Sequence, residues 1–150
     1  MNFEQYVPDA NSFVKEVALQ LGRPEDTDHA YRVMKSVLHA IRDVLSPEES
    51  LHMIAQLPMI IKGVYVDGWH IHTQQKIRSL EDFLQSLRSK NERSATRDFG
   101  DDETARHHTK CVLNVLKNHV TTGEIQHLID QFPNELAELW LIEEKDGISR

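Results

Sequence analysis

The sequence predicts an all-α protein: a helical bundle of about six helices built from two tandem, pseudo-symmetric repeats. Three observations carry this prediction. Apolar residues recur at helical spacing along most of the chain. Caps, prolines and glycines interrupt that periodicity at regular intervals. Residues 26–66 also align with residues 101–141 without a gap, at an offset of 75, and 10 of the 41 pairs are identical. The identities include Ala30/Ala105, Val37/Val112, Leu38/Leu113, Glu49/Glu124, His52/His127, Ile54/Ile129 and Pro58/Pro133. A repeated helical unit buries its apolar face against its neighbour, so duplication fixes an architecture but no chemistry. The chain reads as one domain over residues 1–150, with repeat one at about 10–66 and repeat two at about 79–142.

The first helix covers residues 10–21. Phe13, Val14, Val17, Ala18 and Leu21 form its apolar face, and Gly22 with Pro24 ends it. A second helix starts at the caps Asp26 or Thr27 and carries the stripe Ala30, Met34, Val37, Leu38, Ile41 and Leu45. Ser46-Pro47-Glu48-Glu49 is a capping box with proline at the first helical position, and Thr121-Thr122-Gly123-Glu124 repeats its logic. The helices that follow are expected to bury Leu51, Ile54, Leu57, Ile61 and Val64, and in the second copy Ile129, Phe132, Leu136 and Leu139. Pro58 and Pro133 lie inside these segments and predict two short helices on either side of each proline. Asp67-Gly68-Trp69-His70 reads as a turn, and Ser79 caps a helix bearing Leu80, Phe83, Leu84 and Leu87. Residues 88–100 read as a helix tail running into a loop, and the tail after Glu143 as polar and frayed.

The formal charge of −7 argues against a nucleic-acid or anionic-membrane partner, which would need clustered Lys and Arg. The basic residues form only a loose central group, including Arg88, Lys90, Arg93 and Arg97. One cysteine, Cys111, excludes an internal disulfide and fits a reducing compartment, with the cytoplasm as the expected location. No apolar run approaches the roughly 20 residues of a membrane span.

The sharpest chemical pattern is a doubled Glu-x-x-His, Glu49 to His52 and Glu124 to His127. Carboxylate-bridged di-metal bundles use this spacing from two helices, with further carboxylates from two others. Here the glutamates sit at the third position of capping boxes, and no acidic residue on the preceding apolar faces completes a ligand set. Capping with outward histidines is therefore the favoured reading, and no metal or other cofactor is predicted. His70-x-His72 and His107-His108 lack further zinc-type partners, and Cys111 shows no supporting base in the sequence. Tyr65, Trp69 and Trp140 read as closers of the core. The run Met59 to Val66 is apolar on most of its circumference, so it is expected to be central or at a subunit interface. Met59, Ile60, Tyr65 and Trp69 are its partner-binding candidates.

The run Tyr31, Val37-Leu38-His39-Ala40-Ile41-Arg42-Asp43, Leu45-Ser46-Pro47-Glu48-Glu49, Gln56-Leu57-Pro58 and Gly63-Val64-Tyr65-Val66-Asp67-Gly68-Trp69 resembles a bacterial family catalogued as domain of unknown function 2267. The similarity extends through Val120 to Trp140. It implies an all-helical protein and brings no activity, ligand or catalytic residue with it. The functional expectation is a non-enzymatic, cytoplasmic module for protein interaction or self-association. The alternative is a helical protein that binds a metal or small molecule through Glu49, His52, Glu124 and His127.

Overall fold

The computed structural model describes residues 2–71 and 76–141, and among these the secondary structure is entirely helical. A short 3-10 turn, Phe3–Tyr6, leads into α1 (Val7–Gln20). Gly22, at φ 81°, turns the chain towards α2 (Thr27–Val44), which the Asp26 carboxylate caps at the His29 amide. The polypeptide continues through α3 (Pro47–Ala55) and α4 (Met59–Val66). After the segment that lies outside the described residues come α5 (Leu80–Ser89), α6 (Ala95–Phe99) and α7 (Asp102–Asn118). The last elements are α8 (Thr122–Asp130), α9 (Asn134–Ala137) and a 3-10 turn, Glu138–Trp140.

Several helix starts are those the sequence signals, although α1 begins at Val7 rather than at residue 10 and α6 starts with no side-chain cap. Ser46 and Glu49 form a reciprocal capping box, Ser79 accepts from the Asp82 amide, Asp101 from Thr104 and Thr121 from Glu124. Each such cap is worth on the order of 1 kcal/mol. Pro58 and Pro133 take ψ of 152° and 148°, extended values that break the helix at both places rather than kink it. An amide at position 58 would have bonded to the Ile54 carbonyl; that oxygen instead accepts from the Lys62 ammonium at 2.8 Å.

The long helices α2 and α7 cross at the centre. Val33, Met34, Val37, Leu38 and Ile41 of α2 and Val112, Leu113, Val115 and Leu116 of α7 are all buried. α1 packs on both α2 and α7, and α5 likewise touches both; α4 lies on α1 and α2, and the turn Glu138–Trp140 lies on α7. α3 meets α8.

Three expectations are corrected. Leu51 is 63% exposed rather than buried, because α3 offers Met53 and Ser50 to the interior. α4 is not covered all round: Ile61 and Tyr65 face the core, while Met59, Ile60 and Val66 remain exposed. Residues 88–100 are not merely a tail, since they fold into α6 and bury Ser94, Asp98 and Phe99. The polar tail after Glu143 lies outside the described residues. Among those residues, no helix is long and apolar enough to cross a membrane.

Candidate functional site

Two polar residues of α2 hold the end of α4. The His39 Nε2–H donates to the Val64 carbonyl at 2.7 Å, and Arg42 Nη1 donates to the carbonyls of Tyr65 (2.8 Å) and Asp67 (2.7 Å). A cation at a helix C-terminus satisfies carbonyls that lack an intrahelical partner and opposes the negative end of the dipole. Both α2 residues are buried. Burial outweighs the bond to Val64 and pushes the His39 imidazole below its usual range, which favours the neutral ring. Beneath this clasp the Tyr65 hydroxyl meets Ser50 Oγ at 2.7 Å, and burial raises the phenol well above its ordinary value.

The doubled Glu-x-x-His comes together only in part. The rings of His52 and His127 lie edge to face with centroids 5.1 Å apart, at the contact between α3 and α8. Glu49 Oε1 accepts from the Ser46 amide at 2.8 Å, so this carboxylate acts as a cap. Among the described residues, no group of three or more His, Cys, Asp or Glu side chains is arranged to hold a metal ion.

Of the partner-binding candidates, Met59 and Ile60 are exposed and Trp69 is half-buried. Tyr65 is fully buried and belongs to the core, as does Trp140. The exposed face of α4 runs Met59, Ile60, Gly63, Val66 and Asp67. These positions are i−4, i−3, i, i+3 and i+4 about Gly63, and so form one stripe along the helix. Pro58 supplies no side-chain cap to α4, and Asp67 at its other end is 71% exposed.

A further cluster was not anticipated from the sequence. Asp98 is nearly inaccessible and accepts from His29 Nδ1 (2.9 Å) and from Arg32 Nε and Nη2 (both 3.0 Å). Its backbone carbonyl accepts from His108 Nδ1–H at 2.8 Å. Burial alone would raise the Asp98 pKa, but the bonds from Arg32 and His29 override it and hold it at about 2. The cluster ties α6 to α2 and α7 and presents no nucleophile. Cys111 Sγ donates to the Gln20 carbonyl at 3.4 Å and lies 3.6 Å from His107 Nε2. That histidine is four residues earlier on α7, a spacing legible in the sequence. The thiol is nonetheless buried, which makes it a packing group. His70 is exposed; His72 lies outside the described residues.

A groove of about 590 Å³ runs past Ser46, Glu49, Arg78 and Phe132. Its lining mixes Asp43 and Glu49 with Lys76 and Arg78, so it selects no ligand charge.

A family model described as "Uncharacterized conserved protein (DUF2267)" matches residues 10–139. No curated protein matches the chain.

Proposed function

The chain belongs to the DUF2267 family of uncharacterized conserved proteins, and from that premise we propose that it is a non-enzymatic module that pairs with a second copy of itself through α4. The observation that carries this reading is the stripe centred on Gly63. In an antiparallel contact about Gly63, Ile60 of one copy opposes Val66 of the other. Met59 then opposes Asp67, which brings that carboxylate to the first turn of the opposing α4, where no side chain caps the amides. A stripe that complements itself under a twofold rotation is what an isologous interface requires.

The contact is small. An eight-residue helix is about 12 Å long, and its face lies in the range below about 1,200 Å² that marks transient complexes. Two copies each carrying −7 repel one another, so added salt should tighten the pair. Sedimentation velocity across a concentration series tests the reading. The expected result is a monomer–dimer equilibrium that strengthens with salt and is abolished by Ile60→Glu, with the thermal midpoint of the monomer unchanged. A strict monomer at millimolar concentration would remove it.

We also infer that the architecture is a doubled helical unit. Several features support this: paired caps at Asp26 and Asp101 and at Ser46 and Thr121, breaks at Pro58 and Pro133, the meeting of His52 with His127, and the full burial of both Leu38 and Leu113. α1 packs on α7 as α5 packs on α2, so each unit lends a helix to the other. One buried cysteine fits a cytoplasmic setting.

A further inference from the structure

We propose that the cavity between α2 and the C-terminal end of α5 binds a small, doubly charged oxyanion of the phosphate class. Arg32, Lys35, Ser36 and His39 stand at i, i+3, i+4 and i+7 on one face of α2, and Lys90 with Asn91 closes the space from the end of α5. The cavity measures about 130 Å³. That is room for a tetrahedral oxyanion of a few heavy atoms together with some of its water.

Its charge is the unusual feature. The chain carries 24 acidic against 17 basic residues, yet among the described residues three cations line this cavity and no carboxylate does. Each cation has an acidic neighbour outside the lining. Arg32 is fixed by Asp98 through Nε and Nη2, Lys90 is paired with Asp43, and Lys35 lies 3.9 Å from Asp67. These contacts orient the cations without exhausting their donors, because a guanidinium offers five N–H groups and an ammonium three. The Lys35 pair is long and exposed, so it competes little with a ligand. Lys35 also lies 6.0 Å from the centroid of the Tyr31 ring, which shares the lining. Cations from two helices, with the Ser36 hydroxyl and the Asn91 amide in the same lining, suit a tetrahedral dianion better than a planar carboxylate.

The test is a proton–nitrogen NMR titration of the full chain with sodium phosphate at constant ionic strength, below the concentration at which copies would pair. Saturable shifts confined to residues 31–39 and 90–91 are expected. Lys35→Ala should weaken binding by at least about fivefold, one of three cations being lost, and Lys35→Arg should restore most of it. Lys15→Ala, an exposed lysine on α1, should change nothing. A phosphomonoester is titrated alongside: tighter binding of the ester marks the phosphate group of a larger small molecule, and tighter binding of the free ion marks phosphate itself. The proposal is overturned by shifts that do not saturate, by shifts spread over the whole surface, by acetate binding as well as phosphate, or by indifference to Lys35→Ala. Asp67 touches both sites, as the neighbour of Lys35 here and at the α4 contact there, but the titration is run on the monomer, so either proposal stands if the other fails.

Discussion

The arm α3–Pro58–α4 and the arm α8–Pro133–α9 share a plan and differ in finish. Both start at a hydroxyl cap, break at proline and bury a large aromatic near the end, Tyr65 in one and Trp140 in the other. In the first arm Tyr65 bonds to Ser50, and His39 and Arg42 secure the final carbonyls. In the second arm the aligned positions are Ile125, Asn114 and Lys117. There the Trp140 indole N–H is buried with no hydrogen-bond partner among the described residues, and the α-helix stops after Ala137 in favour of a 3-10 turn. The outer faces diverge further. α4 exposes Met59, Ile60 and Val66. The residues aligned with the first two, Asn134 and Glu135, are polar and Glu135 accepts from the Leu80 amide, while Leu141, aligned with Val66, is likewise apolar and exposed. Apolar inward positions such as Leu38/Leu113 and Ile61/Leu136 are held by packing, so they stay alike, whereas the buried polar ones (Ser50, His39, Arg42) do not. Outward positions carry no such constraint, and at the start of the last helix one arm has become polar while the other stays apolar.

The comparison is broken most severely in the interior. Leu38→Ala and Leu113→Ala should each cost about 2–5 kcal/mol in urea denaturation, as deep cavity-forming changes do. A surface-like loss below about 0.5 kcal/mol at either position would show that the two sites are not equivalent.

The clasp comes next. Arg42→Met removes two charge-assisted bonds from α4 and should cost about 3 kcal/mol. Lys117→Met should cost under about 1 kcal/mol, because burial already lowers that ammonium's pKa and nothing comparable hangs on it among the described residues. Equal losses would contradict the asymmetry described here.

The smallest effect is electrostatic. Asp98 titrates at about 2 in the fold and near 3.9 when unfolded, so its stabilisation is complete above about pH 4 and disappears as pH falls through 2. It is worth about 2 kcal/mol. Burial lowers the pKa of His39 and His108, so the unfolded chain takes up protons first, and stability also declines as pH falls below about 6.5. Chemical denaturation between pH 2 and 8 should show both limbs, and Asp98→Asn should erase the acidic one.

Much of the fold was legible because it follows from local rules. The caps, the proline breaks and the stripes of α2 and α7 each depend on residues within a turn or two of one another. Leu51 misled because a nine-residue helix has room for few inward positions, and α3 gives them to Ser50 and Met53, whose roles depend on Tyr65 and the neighbouring helices. The Asp98 cluster was illegible for a related reason. His29 and Arg32 lie on α2, 69 and 66 residues from their partner, and a single Phe-Gly after Asp98 is a weak sign that a polar stretch turns inward. The apolar excess of Met59 to Val66 was visible in the sequence. Which half of it is buried emerged only when α1 and α2 were seen to cover Ile61 and Tyr65.

The account turns on α4 meeting its own copy with Gly63 on the axis, and engineered disulfide formation tests that geometry most directly. A Cβ added at Gly63 meets nothing within 4 Å, so Gly63→Cys should fold normally. Under mild oxidation it should yield a covalent dimer rapidly, while Glu138→Cys, the aligned position on the other arm, should stay monomeric. Cross-linking at equal rates from both positions, or none from Gly63→Cys, would contradict the account.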